Sequence, residues 1–160
     1  YYYAVCENYK PVQGSVQVVI KPAALTVTAP NAEMVYGEDP QTILTQMKAA
    51  QTTDPAAQNA DYKLTYEGLI GSDTVQQEVT GTDAVTFTTT YQQFGAVGSY
   101  QIQAGGLSCT TGNYEIHYQP GSLTVKQKKL TFTWPQTDTF FYTGKEQCYE
   151  ATVTGTVSQD

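Results

Sequence analysis

The chain contains no arginine. Its eight basic residues are all lysines, set against fifteen acidic ones, for a formal net charge of −7. A surface that neutralises phosphates needs a basic face, usually with arginine forks, so nucleic acid is excluded as a partner. Charge of either sign is scarce, at 14% of residues. There is one histidine, His117, and only three scattered cysteines, Cys6, Cys109 and Cys148. A zinc site needs several such ligands at close spacing, which this set does not supply. No apolar run approaches the roughly 20 residues that cross a bilayer, so no membrane insertion is expected of this segment. No basic stretch with an apolar core opens the chain, as a secretion signal would. Missing too are G-x-S-x-G, H-E-x-x-H, C-x-x-C and the P-loop. Without a nucleophile, a base and a group to orient it, the chain reads as non-enzymatic: catalytic residues none, cofactors none, metal none.

What is present points to β-structure. Of the 160 residues, 25 are Thr, 14 Val and 5 Ile, and 13 are Tyr. β-branched and aromatic side chains suit a pleated, half-buried surface. Thr and Gln stand where helical proteins carry charge, a composition common in secreted and cell-surface β-modules.

Three landmarks recur in order. Asn8-Tyr9 returns as Asn113-Tyr114, Gly14-Ser15-Val16-Gln17-Val18 as Gly121-Ser122-Leu123-Thr124-Val125, and Leu25-Thr26-Val27-Thr28 as Leu130-Thr131-Phe132-Thr133. The separations are 105, 107 and 105 residues. Repeats in register mean repeated structural units. The chain, which starts at Tyr1 rather than Met, therefore divides into the tail of a preceding module (1–21), a complete module (22–126) and the head of a following one (127–160). Strand phase marks the same joints. Core residues of a strand keep one parity. Val16, Val18 and Ile20 are even, whereas Leu25, Val27 and Ala29 are odd; Leu123 and Val125 are odd, whereas Leu130, Phe132 and Trp134 are even. The flips fall at Lys21–Ala24 and Lys126–Lys129, so strands 14–20 and 25–29 are expected in different sheets, as are 122–126 and 130–134. The lysines at the second flip read as a polar joint.

Within the central module, alternation predicts strands at 25–29, 62–67, 84–91, 99–104, 114–118 and 122–126, separated by glycine turns. Asp39-Pro40 is a helix start, and Ile43, Leu44, Met47 and Ala50 follow helical spacing. A second short helix is expected from Ser72 or Asp73, through Val75 and Val79.

These residues resemble a known family. Val35-Tyr36-Gly37-Glu38-Asp39-Pro40, Gly68-Leu69-Ile70-Gly71-Ser72-Asp73, Val97-Gly98-Ser99-Tyr100-Gln101-Ile102, and the closing Asn113-Tyr114-Glu115-Ile116-His117-Tyr118 with Gly121–Val125 are similar, in that order, to the MBG domain of YGX type, a repeated module of bacterial surface adhesins. The resemblance covers about residues 24–126, with residues 41–60 as an insertion. The flanks resemble a sister repeat of clostridial surface proteins. Phe141-Tyr142-Thr143-Gly144-Lys145 and Ala151–Gly155 look like its opening, and Asn8-Tyr9 with Val16–Ile20 like its close. The MBG resemblance implies a mainly β, β-grasp-like module with short helices; an immunoglobulin-like β-sandwich is the alternative. It also implies an extracellular place on the bacterial cell surface, near the cell wall, as a stalk or spacer whose partners are neighbouring repeats of the same polypeptide. The alternative function is a host glycan- or mucin-binding module that uses exposed tyrosines such as Tyr1-Tyr2-Tyr3.

Four other features bear on chemistry. His117 alternates with the core face of its strand and reads as a surface residue. Glu38, Asp39 and Asp73 would offer carboxylates to calcium if their loops met, but capping of helices by Asp39 and Asp73 is the preferred reading. Lys63 is out of phase with Tyr62 and Leu64 and so faces solvent, which argues against an isopeptide crosslink. Cys109 has no second cysteine in its module and is expected as a free thiol. Cys6 and Cys148 occupy the tail and head of one repeat type; they are read as reduced, the alternative being a bridge formed when a tail meets a head.

Overall fold

The computed structural model describes residues 1–52, 59–135, 139–148 and 150–157. The fold is mainly β, with short helices and several sheets. Two strands open it: β1 (Tyr2–Ala4) and β2 (Val12–Gly14), an antiparallel hairpin. The central region holds β3 (Ala23–Thr28), β4 (Ala32–Val35), α1 (Pro40–Ala50), a 3-10 turn (Ala60–Tyr62), β5 (Thr65–Glu67), α2 (Val75–Glu78), β6 (Val79–Thr80), a 3-10 turn (Thr82–Ala84), β7 (Thr86–Thr89), β8 (Gly98–Gly105), β9 (Ser108–Cys109), β10 (Tyr114–Gln119) and β11 (Gly121–Lys126). A last hairpin pairs β12 (Thr131–Thr133) with β13 (Thr152–Thr154).

The frame is one long parallel ladder. β10 runs parallel to β3, with Tyr114 facing Ala23, and β11 runs parallel to β4, with Leu123 facing Ala32. Both halves keep the same separation, and Ser122 N–H donates to Asn31 Oδ1, 91 residues away, across the bend between them. At that bend a Cβ on Gly121 would sit 2.2 Å from the Pro30 carbonyl oxygen, so only glycine lets the strands stay this close. β5 joins the outer edge of β3, and β8 and then β7 extend the sheet from β11, all antiparallel. An immunoglobulin-like sandwich is built from antiparallel sheets; here the two strands that open the module, β3 and β4, pair in parallel with the two that close it, β10 and β11, as in a β-grasp-like arrangement.

Alternation fills the core as expected. Leu25 and Val27 from β3, Met34 from β4, Ile102 from β8, and Leu123 and Val125 from β11 are buried together. α1 packs on β7 and adds Ile43, Leu44 and Met47. Its start follows from local chemistry: Asp39 accepts from Gln41 N–H at 2.9 Å, and Pro40 occupies the first turn, where no donor is needed. Gln51 closes its end. The Gln51 amide donates to Met47 O and Tyr62 O and accepts Leu64 N–H, tying the helix to the approach of β5.

Several expectations need correction. The strand expected at 14–20 is absent. The strand lies at 12–14, and residues 15–20 have no regular structure, with Val16, Val18 and Ile20 exposed. The alternation there is real, but among the described residues no second sheet lies against it to bury one face. The strand expected at 62–67 is only Thr65–Glu67, because Asn59 caps a 3-10 turn that uses up Tyr62. The second helix starts at Val75, not at Ser72 or Asp73. Its box is Thr74 and Gln77, with Gln77 Oε1 accepting Thr74 N–H at 3.2 Å. β4 went unread because the four residues Ala32–Val35 give too few alternations to register.

Candidate functional site

The carboxylates singled out in the sequence do not converge. Glu38 accepts Val35 N–H at 2.8 Å and Asp39 caps α1. Asp73 is not a helix cap. It accepts the Tyr114 hydroxyl at 2.6 Å, while that hydroxyl accepts Ile70 N–H at 2.9 Å. The hydrogen bond to Asp73, followed by burial and by the negative charges of Asp73 and Glu78, raises the Tyr114 pKa; the Ile70 amide acts the other way. The module's closing Asn-Tyr thus anchors the Gly68–Asp73 loop against the start of β10. Among the described residues, no group of three or more His, Cys, Asp and Glu side chains could hold a metal ion.

A second polar cluster sits beside the first. Glu78 is buried, and its carboxylate accepts the Thr111 hydroxyl, with the Cys109 thiol at 4.0 Å. Glu78 O also accepts Thr110 N–H at 2.8 Å, so α2 is stitched to the loop after β9. Burial pushes the Cys109 thiol up. Hydrogen bonds from the Tyr114, Thr111 and Gly112 amides and the Thr111 hydroxyl outweigh it, leaving the pKa below the ordinary value. Sequence reasoning missed Glu78; a carboxylate flanked by Val75 and Val79 in a short helix is the signal that would have found it. Both clusters brace loops, and Asp73 and Tyr114 also line an open cleft of about 320 Å³ with Ile70, Ala23 and Asn113.

His117 lies exposed on β10 and Lys63 exposed before β5, as their strand phase indicated. All three cysteines are free thiols in this chain. Tyr1 and Tyr3 are exposed and line an open cleft of about 460 Å³ with Gln13, Gly14 and Ser15.

The more telling arrangement is at the two ends. Parallel pairing of β3 with β10 and of β4 with β11 puts chain entry at Ala23 and exit at Lys126 at opposite poles. At about 3.3 Å per residue, the strand path from Ala23 to Val35 spans at most about 40 Å. The hairpin β1–β2 precedes the entry pole; β12–β13 follows the exit pole and Val157 packs over Gly37 there. Every buried apolar residue among those described lies between Leu25 and Val125, whereas fifteen of the eighteen exposed large apolar side chains lie in the flanks.

The C-terminal hairpin pairs as β3 and β5 do. Thr131, Phe132 and Thr133 face Thr154, Val153 and Thr152, as Thr26, Val27 and Thr28 face Glu67, Tyr66 and Thr65. Gly155 has φ +98°, and a Cβ there would lie 2.5 Å from Lys129 O; Gly68 has φ +108°, with Ala24 O at 2.4 Å.

Searches among curated proteins and among solved structures found no match. The family profile of the MBG domain (YGX type) matches residues 25–124, which run from the first core residue of β3 into β11. The chain belongs to the MBG domain (YGX type) family.

Proposed function

We propose that this chain is a non-enzymatic repeat segment of a bacterial cell-surface adhesin, extracellular, that serves as a stalk or spacer. The MBG domain is a repeat module of surface proteins and is not a known enzyme family. No described helix is long and apolar enough to cross a membrane. The observation that carries the reading is the parallel pairing of the opening strands β3 and β4 with the closing strands β10 and β11. A module whose ends leave from opposite poles adds its full length to an array, whereas a module with adjacent ends folds the array back on itself. The tail, complete module and head (1–21, 22–126 and 127–160) are the proposed units of that array, and the packing of Val157 on Gly37 supports a stiff joint.

The test is made on the parent protein in its own cells. Antibodies raised against this chain should label intact cells. Deleting residues 22–126 in frame should bring a distal epitope closer to the wall by roughly the 40 Å span of one module. Labelling only after permeabilisation, or an unchanged epitope distance, contradicts the proposal.

A glycan- or mucin-binding role is the second reading, favoured by Tyr1 and Tyr3 in their open cleft. Those rings sit on a hairpin that lacks a second sheet, which equally accounts for their exposure. A glycan array in which binding is lost in the Tyr3→Ala chain would select it.

A further inference from the structure

We propose that the Tyr36-Gly37 turn is a docking socket for the unit that follows the module, and that it takes a β-branched apolar side chain set two residues after the glycine that follows a strand. The turn joins β4 to α1 and is held from several sides. Tyr36 N–H donates to Lys126 O at 2.9 Å, and Glu38 N–H to Val35 O at 3.1 Å. From the loop between β7 and β8, the Gln93 amide donates to Gly37 O at 2.9 Å. In the same loop the Phe94 ring stands edge-on to Tyr36, with centroids 6.4 Å apart. Phe94 has φ +66°, a left-handed backbone that a bulky side chain rarely adopts and that persists only where its surroundings fix it. Gly95 N–H donates to Gln92 O at 2.9 Å within the loop, and the Tyr100 hydroxyl of β8 donates to Ala96 O at 2.6 Å. The strained loop thus holds one turn in one shape.

Gly37 is where the socket opens. A Cβ there would lie 2.4 Å from Val157 Cγ1 and 3.3 Å from Val157 Cβ, so Val157 fills the space that any other residue at 37 would need for its own side chain. The turn by itself asks only for a positive φ, +92° here, which Asn tolerates better than other side chains. The contact with Val157 is what asks for no side chain at all. Val157 is half-buried, next to a cleft of about 340 Å³ lined by Tyr36, Val97, Leu130 and Gly155. It reaches the socket because Gly155, at φ +98° and close against Lys129 O, turns the chain off the end of β13. The central module carries the same device. Gly68, at φ +108° and close against Ala24 O, turns the chain off β5, and Ile70 stands two residues beyond it, as Val157 does beyond Gly155. The Tyr114 hydroxyl accepts Ile70 N–H at 2.9 Å, so the backbone of that loop is fixed while the Ile70 side chain stays 62% exposed. Val and Ile share a branched Cβ and a stiff χ1, which suits a rigid fit into a bare turn. Ile70 is therefore a key of the same class, and a Tyr-Gly turn is the surface it fits. The inference rests on the reading of 127–160 as part of a further unit. Loss of the contact would leave surface labelling of cells unchanged, and absence from the surface would leave the contact unchanged.

The experiment is solution NMR with amide hydrogen exchange on the 160-residue chain and four variants of it. In the wild type, the Val157 methyl protons should show nuclear Overhauser contacts to the Gly37 Hα protons. An isolated two-stranded hairpin is marginal, so undocking should be read in the β12–β13 amides. Val157→Asp and Gly37→Asn should each speed exchange across β12–β13 at least tenfold, with the core amides of β3, β8 and β11 at wild-type rates. Val157→Ile, which places the Ile70 side chain in the socket, should keep the β12–β13 rates within twofold of wild type. Ile70→Ser should leave the melting temperature of the central module unchanged, because the exposed side chain serves no contact in its own module. Val157 lies outside the buried core, so Val157→Asp decides the matter even where Gly37→Asn unsettles the turn. Absence of the Gly37–Val157 contact in the wild type overturns the proposal, as do β12–β13 rates that Val157→Asp leaves unmoved. Val157→Ile that loosens the hairpin as much as Val157→Asp, or a central module destabilised by Ile70→Ser, overturns the assignment of Ile70 as a key.

Discussion

Asn31 stands in for backbone at the bend of the parallel ladder, its side-chain oxygen accepting Ser122 N–H at 2.8 Å where β3 gives way to β4 and β10 to β11. On either side of that point backbone bonds resume: Ala29 N–H donates to Gln119 O, and Tyr36 N–H to Lys126 O. Replacing Asn31 by Ala should cost about 1 kcal/mol, the net worth of one hydrogen bond at a partly exposed site. Gly121→Ala should cost more, about 1–3 kcal/mol, because its Cβ would press on two carbonyl oxygens that cannot both move aside. Urea denaturation followed by the fluorescence of the tyrosines reads both. Equal costs would mean that the bend is not close-packed.

Alkaline pH should weaken the module. Burial, followed by Tyr118, raises the pKa of Tyr66; burial, followed by Tyr100 and Tyr36, raises that of Tyr91; the hydrogen bond to Asp73 leads the rise at Tyr114. A raised folded value means that the unfolded chain gives up its protons first. The stabilisation is complete below the unfolded value of about 10 and is lost as pH climbs through the folded values. Melting temperature should therefore be flat on the acid side of that value and fall beyond it, with a shallower fall in the Tyr114→Phe chain. Parallel curves for the two chains would show that the Asp73 bond does not govern this limb.

Tyr91 is the place where removing a polar group should help. Its ring packs edge-on against Tyr100 with centroids 4.9 Å apart, and its buried hydroxyl has no hydrogen-bond partner among the described residues. The Gly37 and Phe94 amides approach and pull its pKa down slightly without the alignment of a bond. An unsatisfied buried hydroxyl costs about 1–3 kcal/mol, so Tyr91→Phe should be neutral or raise the melting temperature. A clear loss of stability would place a bound water on that oxygen.

Long periodic elements were legible in the sequence and short ones were not. α1 announces itself through Asp39-Pro40 and four apolar residues on one face, and β8, β10 and β11 through clean alternation. β4, β6 and β9 carry too few residues to show a period and exist because neighbouring strands hold them. The helix-cap reading of Asp73 failed because its partner, Tyr114, lies 41 residues away, and no local pattern encodes that pairing. The first hairpin's second strand lies at Val12–Gly14 rather than at 14–20, since among the described residues no second sheet fixes which alternating stretch there becomes a strand.

The parallel ladders determine how the module carries tension. Load applied through residues 22 and 126 shears the β3–β10 and β4–β11 ladders, so their bonds must fail together. Load applied through residues 22 and 113 peels the same ladder from one end, since Ala23 N–H bonds Asn113 O at 2.8 Å and the bonds there break singly. Single-molecule pulling on the 160-residue chain with handles at these pairs compares the two, and forced rupture reports the unfolding barrier itself. The shear geometry should give one sharp event, at several times the peeling force, releasing roughly 300 Å of chain for residues 23–126. Equal forces in the two geometries, or gradual extension without an event, would contradict a spacer built around parallel terminal strands.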